Sequence, residues 1–443
     1  MKRRMDTGQR DSGERGSALV TVLAIVTAVL LIGSALFIMG VGEGDLVEYA
    51  TDSARAFWLA EAGQERARTW LKELAAQNPP VFPDEGSFQD ELLAMGQYDV
   101  TIEKVTGGNP WYSEYEVVAT GQVDGAVRQV RSVLRRETFS QFLYFHDSAS
   151  FVWHTTGDSL DGPYHANAYV RIDGDPWFGG KVTSTEDQII MTGGSNPVFV
   201  EGYELGAEEI PFPNRNDVSA TMRAEAQNGG LYLGALSGSS ARYQIELARN
   251  GQLGYLSYRS YERSGGSYHW SSWTPVDLSN INGVVWSEEP TYIEGTLDGQ
   301  LTVGCWQHIY ITDDILYDDA SPYLGPSSDC DDLLGLVSAR DVIVDNTAPN
   351  RHDCVIHAHI MALWRRFRVE QYSSGPPRGD LVIWGGIAQE RVGPVATFNQ
   401  FGITHGYYKK YHFDERLRGS APPAYPQTDR YILIAWEDVM PPE

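Results

Sequence analysis

The chain is poor in cysteine, short of positive charge and empty of the common catalytic signatures. Its three cysteines, Cys305, Cys330 and Cys354, are too few for the disulfide framework that stabilises small secreted domains; two can pair and one is left over. With 34 Lys+Arg against 59 Asp+Glu the formal net charge is -25. That balance excludes nucleic acid as the main partner, because a surface that tracks a phosphate backbone needs a positive face. No G-x-S-x-G elbow, H-E-x-x-H helix or phosphate-binding P-loop occurs, so the usual routes to serine, zinc and nucleotide chemistry are missing. What is present is apolar mass. At 42% hydrophobic and 12% aromatic residues, 443 residues are enough for two or more packed units.

Residues 17–42 carry no charge, a stretch longer than the ~20 apolar residues that cross a bilayer. Before it, Lys2, Arg3, Arg4, Arg10 and Arg15 outnumber Asp6, Asp11 and Glu14, which by the positive-inside rule keeps a short amino terminus cytoplasmic and sends the body outward. A cleaved secretory signal has a shorter apolar core and a small-residue cleavage site, and neither is present here. The helical pattern continues instead through Phe57, Ala60, Ala67, Leu71 and Leu74 until Pro79 and Pro80. The expectation is one helix of roughly 60 residues, apolar over 17–42 and amphipathic over 43–78.

Glu14, Arg15 and Gly16 followed by Ser17, Ala18, Leu19 and Val20 resemble the prepilin cleavage site of type IV pilins and type II secretion pseudopilins. Ala56, Phe57, Ala60, Glu61, Ala62 and Gly63 match the A-F-x-x-A-E-A-G segment of the PilX-type N-terminal domain of minor pilins. The resemblance implies a leader over 1–16 removed by a membrane peptidase between Gly16 and Ser17. It also implies a helix that packs among other pilin-like subunits in a filament core. Major pilins usually have Phe and Glu at the first and fifth mature positions, where this chain has Ser17 and Thr21. Lacking that Glu resembles tip-type minor subunits. Three alternating segments, 98–105, 115–121 and 127–134, predict an antiparallel meander within 79–138 that buries one face on the helix, the α+β arrangement of a pilin head.

From 139 to 443 the chain is a succession of short β-branched runs, among them 284–286, 300–303, 342–344, 354–361 and 381–384, separated by Gly, Asp and Asn. An all-β domain is expected, a parallel β-helix rather than the alternative β-sandwich, because the runs are short and closely spaced. No amphipathic helix is expected there. Residues 215–282 read as an insertion built on a hairpin turning at Asn250-Gly251. Its Tyr261, Tyr268, Trp270 and Trp273 either cover the flank of the β-domain, the simpler use, or offer an aromatic platform for sugar or protein. The distal half also resembles an uncharacterised bacterial family that follows PilX-type N-termini, through Gly157, Asp158, Asp161, Gly162, Pro163, His165 and Asn167, through Gly385 and Gly386, and through Gly406, Tyr407, Lys409, Asp414 and Arg416.

Asp313, Asp314, Asp341 and Asp345 are the carboxylates to consider for inverting sugar hydrolysis, and turn capping is the simpler use for them. His357 and His359 share one strand face, where a metal or two ordinary hydrogen bonds would suit them. Asp313, Asp314, Asp318, Asp319, Asp329, Asp331 and Asp332 are dense enough in oxygen ligands for calcium; the spacing is not that of an EF-hand, and a solvated acidic loop is the simpler reading. No catalytic residues are assigned. The sequence expectation is a non-enzymatic minor pilin or pseudopilin, held in the inner membrane before assembly. Its distal domain would be displayed in the periplasm or on the filament for adhesion, cargo contact or assembly initiation, with surface polysaccharide or protein as the outside partner. The alternative is a membrane-anchored envelope protein that binds or acts on polysaccharide.

Overall fold

A computed structural model describes residues 14–77, 80–93, 96–107, 110–149, 151–399 and 401–439. They form two units, one of described residues within 14–106, 114–135 and 433–439, the other of those within 107–113 and 136–432.

The first unit is led by helix α1 (Glu14–Ala75). Its segment Leu19–Gly40 has a mean hydropathy of 2.8, is long and apolar enough to cross a membrane, and is exposed throughout. Farther along, Ala56, Leu59, Ala60, Ala67, Leu71 and Ala75 are all buried, recurring at the three- and four-residue steps that keep one helix face on a neighbour. The neighbour is an antiparallel sheet of β1 (Glu85–Leu93), β2 (Gly96–Lys104), β3 (Glu114–Val123) and β4 (Ala126–Thr138), with the C-terminal strand Gln427–Val439 next to β4. The A-F-x-x-A-E-A-G residues are the closest part of this contact. A Cβ on Gly63 would sit 2.9 Å from Val100 Cγ2 and 3.0 Å from Ala119 Cβ, and one on Gly121 would sit 2.0 Å from the Ala56 carbonyl. Small residues here let helix and strand backbones approach. Beside them the buried Gln64 donates to the carbonyls of Val117 and Val130 (3.2 and 2.8 Å) and accepts from Ser132 Oγ at 2.5 Å. The buried face is shorter than the amphipathic stretch expected over 43–78, since Leu46 and Ala50 within it are exposed.

The second unit is strand-rich, and its long-range pairings are mostly parallel. One ladder runs in spatial order through Leu231–Leu233, Val284–Ser287, Gln300–Cys305, Leu333–Ser338, Cys354–Ala362, Pro377–Arg391, Tyr144–Ser148, Tyr164–Ala166, Val182–Ser184 and Tyr203–Leu205. A second links Arg242–Leu247, Thr291–Leu297, Ile309–Tyr317, Val342–Val344 and Phe367–Val369. A third goes from Ile309–Tyr317 through Cys354–Ala362, Pro377–Arg391, Gly402–Phe413, Ser159–Asp161 and Trp177–Phe178 to Val198–Phe199. Spatial order is therefore not chain order. The rungs at 144–205 continue beyond the rungs at 231–413, and the chain crosses from one end of the ladder to the other through residues 206–230.

Side chains alternate between two cores. Val285, Leu301, Val303, Leu336, Ile360, Ile387, Tyr144 and Tyr164 belong to the principal one. Trp286, Val337, Met361, Ala388 and Phe145 belong to another, shared with Met222 and Ala226 of helix α2 (Arg215–Gln227). Burial on both faces is why these strands read as near-continuous apolar runs.

Three expectations are corrected here. A helix does occur among the strands: α2, capped by Asn214 Oδ1 accepting from the Asn216 N–H at 2.8 Å. The segment 215–282 is not one insertion, because Leu231–Leu233 and Arg242–Leu247 are end rungs of two ladders; the excursion begins after Leu247. All three cysteines are buried thiols, not disulfides, and burial pushes Cys305 up to about 12.

Candidate functional site

The resemblance motifs of the distal half meet where the 144–205 rungs join the 381–413 rungs. Asp158 and Lys409 form an ion pair, Oδ2 to Nζ 2.6 Å, with side chains only 1% and 5% exposed. Asp158 also accepts from the backbone N–H groups of Thr155 (3.0 Å) and Lys409 (3.3 Å), and Lys409 Nζ donates to the Trp153 carbonyl at 3.1 Å. A pair this enclosed is tolerable only with such extra bonds. The neighbouring Asp414 holds Arg416 through two contacts of 3.0 and 2.6 Å, and Arg416 donates to the Cys330 carbonyl at 2.6 Å. Gly386 lies at the same seam, where a Cβ would be 2.4 Å from the Phe142 carbonyl and 2.7 Å from His359 Nε2.

Over the Asp158–Lys409 pair opens a cleft of about 590 Å³ whose walls include Trp153, Arg366, Tyr372, Arg391 and Phe398. A second depression of about 810 Å³ shares Thr155 and Phe398 with it and adds Thr156, Asp173, Asp380 and Asn399. The hairpin of Ala396–Asn399 and Gly402–Phe413 supplies part of both walls.

The residues singled out from sequence lie elsewhere. Gly16 and Ser17 fall at the beginning of α1, and residues 1–13 of the leader lie outside the described residues. Among the described residues no group of three or more His, Cys, Asp and Glu side chains gathers to hold a metal ion. The seven aspartates of the acidic stretch take separate parts instead. Asp314 accepts from the Val355 N–H at 2.8 Å, and Asp332 from the Gly299 N–H at 2.6 Å and the Asp319 N–H at 3.5 Å; burial raises both carboxyls above the ordinary range. Asp313 caps the N–H of Asp314 at 2.8 Å, while Asp318, Asp319, Asp329 and Asp331 are exposed.

The aromatic platform is also differently built. Arg242 lies 4.3 Å from the Tyr261 ring centre and 5.2 Å from that of Trp270. Arg259 lies 4.2 Å from Trp270 and 4.5 Å from Trp273, and Arg249 4.5 Å from Trp273. Tyr268 stacks on Tyr261 at 5.3 Å and accepts from the Ser240 N–H at 3.0 Å. Guanidinium groups thus lie against the rings the sequence offered to a ligand. His357 accepts from the Tyr317 N–H at 3.1 Å and donates to the Pro322 carbonyl at 3.1 Å; His359 contacts Tyr425 Oη at 2.6 Å and the Phe142 carbonyl at 2.8 Å. Burial lowers both, His359 to about 4. Asp341 pairs with Arg368 at 3.1 Å, and Asp345 shares a hydrogen bond with Glu370, whose carboxyl is raised by it. The Asp158–Lys409 cleft was not legible in sequence, since its walls come from 149–158, 366–372 and 391–409.

Residues 110–186 match the family described as "Domain of unknown function (DUF4900)". No curated protein matches the chain. Among solved structures, the competence-associated pilin ComZ from Thermus thermophilus aligns at 13% identity and a TM-score of 0.35, over 88% of this chain and 98% of that one. At that score the likeness carries no inference for this chain.

Proposed function

We propose that the chain is a non-enzymatic minor pilin or pseudopilin that carries a large accessory β-domain, built as a parallel β-helix, on a filament anchored in the inner membrane. The observation that carries the reading is α1. One unbroken helix has an exposed apolar segment, Leu19–Gly40, and then a small-residue face, Ala56 to Ala75, packed on an antiparallel sheet. Exposed apolar surface on this scale needs lipid or neighbouring apolar helices around it. The exposed half of α1 thus suits the two surroundings of a filament subunit, first bilayer and then helix bundle, while the other half carries the sheet. Gly16 and Ser17, at the start of the helix, supply the processing site. The β-helix reading rests on the parallel ladders and their shared inner core.

The test is the amino terminus of protein extracted from membranes that contain an active prepilin peptidase, measured by mass spectrometry. A mature chain beginning at Ser17 is expected. An intact Met1, or a terminus beyond residue 35, overturns the reading.

A further inference from the structure

The cleft over Asp158 and Lys409 is unlike the rest of this acidic chain. Three cations, Arg366, Arg391 and Lys409, line it against the single carboxylate of Asp158, in a protein of net charge -25. Lys409 Nζ has three N–H donors, and two are used, on Asp158 and the Trp153 carbonyl. Among the described residues the third has no partner, although the side chain is 5% exposed. The Arg366 guanidinium, half-buried, likewise has no hydrogen-bond or ion-pair partner among the described residues. Arg391 has Glu390, at 3.3 Å. The third Lys409 donor is enclosed and therefore costly to leave without an acceptor, and an anion that enters the cleft offsets that cost; Arg366, only half-buried, adds its positive charge and its guanidinium fork.

The other walls are mostly apolar, with rings among aliphatic side chains such as Val152, Val395 and Ile403. Trp153 has a guanidinium, that of Arg171, 5.5 Å from its ring centre. Tyr372 and Phe398 have no ring or cation partner among the described residues, in contrast to the hairpin rings interleaved with Arg242, Arg249 and Arg259. Flat apolar faces beside a guanidinium fork fit a ligand with one C–H-rich ring face and one carboxylate. The cleft, at about 590 Å³, lies within the ~300–1,000 Å³ of small-ligand sites. The adjoining depression has Asp173 and Asp380 against one cation, Lys410, whose Nζ donates to the Gly157 carbonyl at 2.8 Å; with Thr155, Thr156 and Asn399 it suits a neutral, hydroxyl-rich continuation.

We propose that this cleft binds a carboxylated sugar of an oligosaccharide, its carboxylate on Arg366 and the free Lys409 donor and its ring against Phe398 and Tyr372. The proposal does not depend on the filament reading. An acidic peptide offers carboxylates without a ring face and is the competing occupant.

The test is calorimetric titration of the full-length, detergent-solubilised protein with trigalacturonate and with the matched neutral trigalactoside. Trigalacturonate is expected to bind at least 10-fold more tightly. Arg366→Gln and Phe398→Ala are each expected to weaken it at least fivefold. Arg366→Lys, which keeps the charge without the fork, should fall between wild type and Arg366→Gln, and Trp270→Ala on the hairpin should leave trigalacturonate affinity unchanged below its melting temperature. Near-UV circular dichroism establishes that each variant is folded. Absence of binding at millimolar trigalacturonate, equal binding of the neutral sugar, indifference to Arg366→Gln, or displacement by poly-glutamate at equal carboxylate concentration each overturns the proposal.

Discussion

His146 and His359 are buried, and burial lowers each from the ordinary histidine value to about 4. The unfolded chain therefore binds protons near pH 6.5 that the folded chain does not. Stability is full above the ordinary value and falls as pH drops from 6.5 toward 4, by up to ~3 kcal/mol per histidine. The raised carboxyls of Asp314 and Asp332 act in the opposite sense at the lower end, so the clearest window is pH 5 to 6.5. Urea midpoints measured across it are expected to fall with pH, and His359→Gln should flatten the slope. The Asp158–Lys409 pair gives a second expectation at this scale. Asp158→Ala leaves an unpaired buried ammonium and should cost ~3–5 kcal/mol, whereas replacing both partners with apolar residues should cost much less. Equal losses in the single and double variants, measured by urea unfolding, would contradict that.

Among the elements, α1 was the most readable. Its apolar run and small-residue pattern announce both halves, and only the tertiary contact of Gly63 with Val100 and Ala119 explains why the second half is small-faced and not leucine-rich. Gly63→Val is expected to destabilise the chain by ~1–3 kcal/mol through overpacking, read as a lower thermal midpoint. Helix α2 was not legible because only Ser219, Met222 and Ala226 of its residues are buried, too narrow a stripe to stand out. β1 was missed for a similar reason, since Glu85–Leu93 is mostly exposed and does not alternate cleanly. The hairpin was found from Asn250 and Gly251, both left-handed in the structure with Ala248. Its arginines were overlooked because Arg242 and Arg259 come from facing strands, paired through Arg242↔Tyr261 and Gln244↔Arg259. Trp270→Ala removes the ring that both guanidiniums share and should cost ~1–2 kcal/mol in thermal unfolding.

For the whole chain, the short β-branched runs identified the strands but not their partners, because alternation encodes which face is buried and not which neighbour is met. Nothing local reveals that Tyr144–Ser148 pairs with Pro377–Arg391. That seam is held at Gly386, where a side chain would meet the Phe142 carbonyl. Gly386→Val is expected to part the 144–205 rungs from the 231–413 rungs, so that calorimetry resolves one more transition than for the parent protein. No added transition, with temperatures unchanged, would show the seam to be dispensable. The order of the rungs also bears on how the chain is made. Emerging amino end first, Tyr144–Ser148 waits with one edge bare until Pro377–Arg391 arrives, and closing a loop of that length before any reward is slow. A polypeptide whose early rungs wait on residues 377–391 stays pliable through most of its synthesis and commits to its final shape only once that late stretch is delivered.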